Sequence, residues 1–161
     1  NEARPGTVFR MNRDGTGYAI LRHLDLAPEE NLYGLMEGSD GLLYGLTEDE
    51  DWADYATLFK LNKDGTGYAV LHRFDCAAEL PASALIEASD SALYGTTFYG
   101  GTFGKGTVFR LNKDGSGLTN IYHFSSPPDW WMPAGVMEGA DGSLYGTSCY
   151  GGDFGYGLCG L

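Results

Sequence analysis

One fifteen-residue phrase occurs three times in this chain and constrains its fold more than any other feature. It reads MNRDGTGYAILRHLD from Met11, LNKDGTGYAVLHRFD from Leu61 and LNKDGSGLTNIYHFS from Leu111. A period of roughly 20–50 residues is typical of repeat architectures, in which each unit buries its apolar surface against its neighbours. The chain is therefore expected to be a tandem-repeat protein.

Each copy of the repeat contains four short runs that read as strands. The run GTVFRM at Gly6 returns at Ala56, at Gly106 and, as GLCGL, at Gly157, in steps of 50, 50 and 51 residues. Three further runs rich in β-branched and aromatic residues follow in each copy, and no segment has a sustained helical period. We predict an all-β chain with a single repeat domain over residues 1–161, with repeats at approximately 6–55, 56–105 and 106–156, and with 157–161 starting a fourth.

The residues between the runs predict how the strands are connected. Asp-Gly pairs at Asp14, Asp64 and Asp114 are strong signals for tight hairpins, because glycine accepts a positive φ without steric cost. A second tight turn and a longer loop complete each copy. Four-stranded antiparallel meanders of about 50 residues, repeated in tandem, are typical of β-propeller blades.

A longer stretch of the chain resembles a known repeat family. The sequence LYGTTFYGGTFGKGTVFRLNKDGSG, followed by YHF and then by AGVMEGADGSLYGTS, is similar to the GloVer-type tandem repeat of predicted secreted or surface-anchored bacterial proteins. The similarity covers Gly6 to Gly157. It implies an extracellular or cell-surface location and a propeller-like architecture, and it brings no catalytic motif with it.

The number of repeats raises the question of how the chain closes. Propellers have about 4–8 blades, whereas this chain has three periods, and Gly6 and Gly157 begin the same type of strand. The chain is then part of a longer propeller, one half of a six-bladed ring of two chains, or a unit of an open filament. We expect Ser143–Ser148 of one unit to lie beside Gly6–Met11 of the next unit or of the same ring. We also expect a C-terminal first strand to complete a three-stranded N-terminal unit by strand donation. The expected partners are therefore copies of the chain itself or further repeats.

The charge of the chain excludes several classes of partner. Ten Lys and Arg residues stand against 22 Asp and Glu residues, a formal net charge of −12. Nucleic acids and anionic membranes attract basic surfaces, so neither is expected as a partner. No apolar run approaches the roughly 20 residues of a membrane span, so no membrane insertion is expected.

The polar residues of the repeat do not form a catalytic set. Asn62, Asp64 and Thr66 resemble an oxygen-rich cation loop, but a calcium loop needs more carboxylates than this turn has. A plain hairpin is therefore the favoured interpretation. Glu37 and Asp40 recur in every copy beside a turn, which favours a role in the turn over acid–base chemistry. We predict a protein that is not an enzyme, with no catalytic residue, no cofactor and no metal.

The aromatic loop residues and two cysteines are the remaining candidates. Exposed aromatic rings stack on sugars, although the same rings could fill gaps between blades. The candidate ligand-binding residues, for glycans above all, are Trp52, Phe98, Tyr99, Phe103, Trp130 and Trp131. Cys149 and Cys159 form a candidate disulfide in an oxidising compartment.

The predicted function is that of a non-enzymatic, extracellular structural protein that assembles through its repeats and forms fibrils if the repeats add end to end. Two alternatives stay open. One is a carbohydrate-binding, lectin-like propeller module, and the other is a fragment of a larger propeller enzyme.

Overall fold

The described part of the chain is made of short strands. The computed structural model describes residues 6–24, 30–49, 55–75, 79–125 and 133–148, and no helix occurs within them. The strands are β1 (Gly6–Arg10), β2 (Ala19–Leu24), β3 (Glu30–Glu37), β4 (Leu43–Asp49), β5 (Tyr55–Leu61), β6 (Ala69–Asp75), β7 (Ile86–Glu87), β8 (Leu93–Thr97), β9 (Thr107–Leu111), β10 (Thr119–His123), β11 (Pro133–Glu138) and β12 (Leu144–Ser148).

These strands form four separate antiparallel sheets. Two sheets have four strands each, in the orders β3-β4-β5-β6 and β7-β8-β9-β10. Two smaller sheets, β1-β2 and β11-β12, have two strands each. The predicted all-β class and the antiparallel meander are confirmed. No sheet formed by the described residues closes on itself, and the propeller arrangement stays a prediction.

The sheets do not follow the frame of the sequence repeat. Counted from GTVFRM, the first strands of the copies are β1, β5 and β9, the second β2, β6 and β10, the third β3, β7 and β11, and the fourth β4, β8 and β12. Each four-stranded sheet joins the third and fourth strands of one copy to the first and second strands of the next. The fourth and first strands pair in full register, from Leu93 with Leu111 to Thr97 with Thr107. Hydrogen-bonded pairing therefore unites strands that the sequence repeat places in different copies.

The turns have the backbone that their sequences predict. Gly15, Gly65 and Gly115 have φ values of +84°, +86° and +90°. In the Asp64 turn, one carboxylate oxygen accepts hydrogen bonds from the Thr66 amide at 2.9 Å and from its hydroxyl at 2.6 Å. The carboxylate is used inside the hairpin, which supports the hairpin over the cation-loop interpretation.

The core lies between the two four-stranded sheets. Its main cluster includes Leu58 and Phe74 from one sheet and Leu93 and Phe109 from the other. The Phe74 and Phe109 rings meet with their centroids 5.2 Å apart. The sheets thus bury their faces against each other, as a repeat unit that cannot bury both faces alone is expected to do.

One expectation about the ends is wrong. In the described residues the N-terminal sheet has two strands, β1 and β2, where a three-stranded unit completed by a single C-terminal strand was expected. The reason is the pairing just described, because β3 and β4 pair with β5 and leave β1 and β2 apart. The predicted strand at 157–161 lies outside the described residues. No helix in the described part is both long and apolar enough to span a membrane.

Candidate assembly site

The outer edge of β12 is the first of two incomplete places in the structure. The strand has the sequence LYGTS, almost that of LYGTT in β8, and among the described residues it pairs only with β11. Tyr44, in the equivalent strand β4, is fully buried, whereas its counterpart Tyr145 is 53% exposed. A strand of similar sequence is therefore covered in the middle of the chain and open at β12.

The outer edge of β1 is the second incomplete place. Phe9 is 50% exposed, while its repeat equivalents Phe59 and Phe109 are fully buried. In the whole sheets each of these rings lies on a glycine of the adjoining fourth strand, with atoms of Phe59 and Phe109 only 2.5 and 2.6 Å from where a Cβ of Gly45 or Gly95 would stand. Glycine stands at these positions because the ring occupies the space that a Cβ atom would need.

Gly146 of β12 is the third glycine of this kind, and no ring of a described residue lies on it. Its nearest described neighbours belong to the adjoining strand, Gly135 and Val136. Among the described residues, Phe9 of β1 therefore has no glycine of a fourth-type strand beneath its ring, and Gly146 of β12 has no phenylalanine of a first-type strand above it. Each of the two strands has the residue that the other one lacks.

A groove adjoins each open edge. One, of about 360 Å³, runs beside β12 and is lined by residues that include Val108, Ile121, Val136 and Thr147. The other, of about 330 Å³, adjoins β1 and is lined by Val8, Phe9, Tyr33, Leu35 and Phe59 among others. Each groove lies where a four-stranded sheet would have the two strands that the small sheet lacks.

Successive sheets are joined by a polar contact that occurs twice. The Ser39 amide and hydroxyl donate to the two carboxylate oxygens of Glu87, at 2.7 and 2.6 Å. Ser89 makes the same two bonds to Glu138, both at 2.7 Å. A serine in the third-to-fourth-strand turn of one sheet therefore binds a glutamate that ends the third strand of the next. We call this pair the junction.

A lysine completes the junction at Glu87. Lys113, in the turn between β9 and β10, pairs with the Glu87 carboxylate and donates to the Ser39 hydroxyl at 2.8 Å. The side chains of Lys113 and Glu87 are only 17% and 12% exposed. Lys63 pairs with Glu37 in the equivalent place of the first four-stranded sheet.

The charge of the junction carboxylate is stabilised by its partners. Burial alone would raise the pKa of Glu87, but hydrogen bonds from Lys113 and Ser39 and the charge of Lys113 hold the pKa below its usual value. Asp40 behaves alike: burial opposes its charge, while bonds from Tyr44 and the Leu42 amide keep its pKa low. Both carboxylates are therefore built to stay ionised.

Acidification is expected to weaken the junction. A carboxyl group whose pKa is lower in the folded state stabilises the fold above its unfolded pKa, and that stability is lost as the pH falls below about 4.3. Glu87→Gln should therefore lose less stability than the parent between about pH 5 and pH 3, by on the order of 1 kcal/mol.

Urea unfolding at several pH values measures this difference. Glu37→Gln is the matched control, because the Glu37 and Lys63 side chains are 55% and 54% exposed and such pairs contribute little. Equal pH dependence in Glu87→Gln and the parent would contradict the assignment.

The predicted aromatic residues do not share one surface in the described part of the chain. Phe98 and Tyr99 are partly buried and pack against the core, while Phe103 is 58% exposed in the same loop. Trp52, Trp130 and Trp131 lie outside the described residues, and so do Cys149 and Cys159. The structure therefore presents Phe103 to solvent and uses Phe98 and Tyr99 for packing.

The histidines have structural neighbours. His123 accepts a hydrogen bond from the Thr102 amide at 3.1 Å and so holds the loop that precedes β9. His72 packs edge-on against Phe74, and burial lowers its pKa despite the nearby charge of Glu79. Within the described ranges, no group of three or more His, Cys, Asp and Glu residues could hold a metal ion.

Sequence reasoning missed the function of the junction residues. It assigned the recurring Glu and Asp residues to local turn chemistry, whereas Glu87 and Glu138 bind the turn of the preceding sheet, 48 and 49 residues back along the chain. The signal was present: glutamate and serine recur at nearly one repeat length, which is the spacing expected for contacts between neighbouring units.

Compared with known protein families, the chain matches the Gloeobacter/Verrucomicrobia repeat over residues 1–159. The chain belongs to this repeat family. The match confirms the resemblance seen in the sequence. No curated protein matches the chain, and no solved structure matches it.

Within this Gloeobacter/Verrucomicrobia repeat, the described side chains offer contacts between units. The junction carboxylates and the paired glycines and phenylalanines all lie where one copy of the repeat meets the next, and the two open edges lie on the two small sheets. The chemistry they supply is hydrogen bonding, ion pairing and apolar burial. Such a set is suited to joining repeat units.

Proposed function

We propose that this chain is a non-enzymatic structural repeat module that acts outside the cell. Its sheets are whole and partial blades of a β-propeller-type assembly, and its role is to join repeats into that assembly. The observation that carries the proposal is the composition of the two small sheets. A whole sheet contains strands of the third, fourth, first and second type in that order. The β11-β12 sheet supplies strands of the third and fourth types, and the β1-β2 sheet supplies strands of the first and second types.

The open edges of the small sheets are complementary in register as well as in type. In both whole sheets the fourth strand pairs with the first, and the leucine that starts the fourth pairs with the leucine that ends the first. Applied to the small sheets, this register places Leu144 opposite Met11 and Gly146 opposite Phe9. Exposed strand edges with apolar side chains favour such pairing.

The features that the repeats share also favour a structural role. Glu87 and Glu138 each bind a serine of the neighbouring sheet. A residue that recurs in each unit and binds the neighbouring unit serves the repeat as a whole. This is the pattern of a solenoid or propeller scaffold.

The extracellular location rests on the family resemblance and has its own test. We expect Cys149 and Cys159 to be linked in protein isolated without reducing agent from its natural source. Mass spectrometry of unreduced peptides detects the link. Free thiols at both positions would count against an oxidising compartment.

A chain with two units in tandem tests whether the small sheets complete each other. Residue 156 of one unit is joined to residue 6 of the next, which preserves the repeat phase because Gly157 is the equivalent of Gly6. The internal β11-β12 and β1-β2 sheets can then pair within one polypeptide. We expect the joined chain to unfold at a temperature at least about 10 °C above that of the single unit, because interfaces between repeats add stability.

A matched control separates pairing from chain length. In the control, Val8 of the internal β1 is replaced by proline, which removes a backbone donor and fits poorly within a ladder. The single unit with Val8→Pro corrects for any local damage. The proposed function would be overturned if the joined chain unfolded at the same temperature as the single unit and its proline variant unfolded at that temperature too.

A glycan-binding role is the second candidate, and the exposure of Phe103 favours it. The ring is 58% exposed beside Gly104, and an aromatic face next to a glycine suits a sugar. A glycan array probed with the parent and with Phe103→Ala and Trp130→Ala tests it. Binding that the parent shows and both variants lose would establish this role; binding no stronger than background would exclude it.

A further inference from the structure

The junction between sheets is complete at Glu87 and lacks its cation at Glu138. Ser89 binds Glu138 as Ser39 binds Glu87, but among the described residues no lysine or arginine pairs with Glu138. The carboxylate lies on β11-β12, the sheet without strands of the first and second types. The cation of a junction comes from the turn between those two types, as Lys113 shows for Glu87.

The remaining turn of that type carries Arg13. By repeat phase Arg13 is the equivalent of Lys63 and Lys113, and it lies between β1 and β2. Arg13 is exposed, and no described carboxylate pairs with it. One small sheet therefore has the carboxylate of a third junction, and the other has the cation.

The glycines of these turns point to the same join. A Cβ on Gly65 would stand 2.0 Å from the Leu21 carbonyl oxygen, and one on Gly115 would stand 2.8 Å from that of Leu71. Each turn thus presses against the second-type strand of the preceding sheet. Gly15, in the Arg13 turn, has nothing within 4 Å.

The corresponding position on the last second-type strand is open. Ile121 of β10 is the repeat equivalent of Leu21 and Leu71, and it is 46% exposed. Among the described residues, the turn that carries Arg13 has no surface like the one against which its two equivalents pack, and the strand of Ile121 has no turn packed on it.

The occupant that fits both places is a second copy of this chain. The chain contains three sheets' worth of strands, two whole and two halves, and closed propellers have about 4–8. The described strands of one copy make up three blades and do not close, whereas two copies make six blades with two identical joins, as a twofold dimer requires. At a net charge of −12 per chain, a cation placed at the join also reduces repulsion between copies.

We propose that two copies form a six-bladed ring in which β1 of each pairs with β12 of the other, with Arg13 of one copy bound to Glu138 of the other and Gly15 packed on the backbone of Ile121. This inference rests on the proposed function and adds to it the partner, the stoichiometry and the ion pair. Arginine suits the position because its planar group binds a carboxylate through two parallel hydrogen bonds.

Charge exchange in the 161-residue chain tests the ion pair. Arg13→Glu and Glu138→Arg each place like charges at both joins, whereas the double variant restores opposite charges with the roles reversed. Sedimentation equilibrium is expected to show a parent dimer of twice the 17.4 kDa chain mass. We expect each single variant to weaken the dimer at least about tenfold, and the double variant to return to within about threefold of the parent.

Arg73→Glu is the control for net charge. It makes the same change in charge as Arg13→Glu on an exposed residue of β6, which belongs to a whole sheet, and is expected to leave the dimer within about threefold of the parent. Far-ultraviolet circular dichroism shows whether each variant keeps its strands. Variants that lose their strands are replaced by Arg13→Gln and Glu138→Gln, for which a loss of at least about threefold is expected.

The register is tested with paired cysteines. In a background with serine at positions 76, 149 and 159, Met11→Cys and Leu144→Cys are mixed as separate proteins and oxidised. We expect a covalent heterodimer, and a yield at least about fivefold lower when Ser148→Cys replaces Leu144→Cys, because directly opposed positions bring the Cβ atoms close enough for a disulfide.

The outcomes separate the two proposals. A parent that stays monomeric up to about 1 mM, together with a stabilised joined chain, would overturn the second copy as partner and leave the proposed function in place. A dimer whose affinity Arg13→Glu changes no more than Arg73→Glu does, or whose cysteines show no register preference, would overturn the assigned join. A monomer without stabilisation of the joined chain would overturn both.

Discussion

Phe109→Ala is expected to lower the free energy of unfolding by about 3–5 kcal/mol, while the same change at Phe9 costs the isolated unit less than about 1 kcal/mol. Phe109 is fully buried and packs on Phe74 with ring centroids 5.2 Å apart. Removing its ring leaves a cavity between the two four-stranded sheets. Phe9 is half exposed and leaves none.

Phe109 and Phe9 serve as controls for each other, because both are phenylalanines at the same place in the repeat. Each precedes an arginine in a first-type strand, and Phe9 keeps a ring contact with Tyr18, with centroids 5.4 Å apart, much as Phe59 does with Tyr68 at 5.3 Å. Urea unfolding of the unit at a concentration where it is monomeric measures both. Equal losses at the two positions would show that Phe9 is buried in the unit, and the open edge at β1 would then be wrong.

Gly65→Ala is expected to cost about 3 kcal/mol or more. The residue has a φ of +86°, which an L side chain adopts only with strain, and the new Cβ would stand 2.0 Å from the backbone oxygen of Leu21 in the neighbouring sheet. A backbone atom cannot rotate away as a flexible side chain does. The cost therefore includes separation of β2 from the turn.

Gly41→Ala separates the two causes. Gly41 has a similar φ of +80° but nothing within 4 Å, and its repeat equivalent, Ser91, already carries a side chain at a φ of 62°. We expect a cost of about 1 kcal/mol, from the backbone conformation alone. Thermal or urea unfolding of both variants gives the difference. If Gly65→Ala were as mild as Gly41→Ala, β2 would not be packed on that turn.

The strands and turns were predictable from the sequence because their causes are local. Asp-Gly at Asp64 predicts a turn with a positive φ whatever lies around it, and runs such as GTVFRL predict strands from the preferences of their own residues. The repeat spacing predicted a tandem all-β chain, and the density of matching residues predicted the family. Each of these inferences compares residues along the chain and needs no contact in space.

The partition of strands into sheets was not predictable in the same way. The repeat has no natural starting point, so a period of about 50 residues is equally consistent with a sheet that begins at β1 or at β3. The choice depends on which connection lets neighbouring strands form a ladder, and the pairing of Leu93 with Leu111 shows that it is the loop between the fourth and first strands. That pairing left two strands at each end and so made the ends complementary.

The sequence by itself determined that this protein is a β repeat, where it turns and which family it belongs to, because these properties are encoded in neighbouring residues and their spacing. Only the tertiary structure decided which phenylalanine is buried and which glutamate joins two sheets. Phe9, Phe59 and Phe109 stand at the same place in the repeat, and Phe9 and Phe109 also share their flanking valine and arginine. They differ in burial because a neighbouring strand covers two of them and leaves the third half exposed. Burial depends on what lies across the interface, and that is a property of the packed sheets.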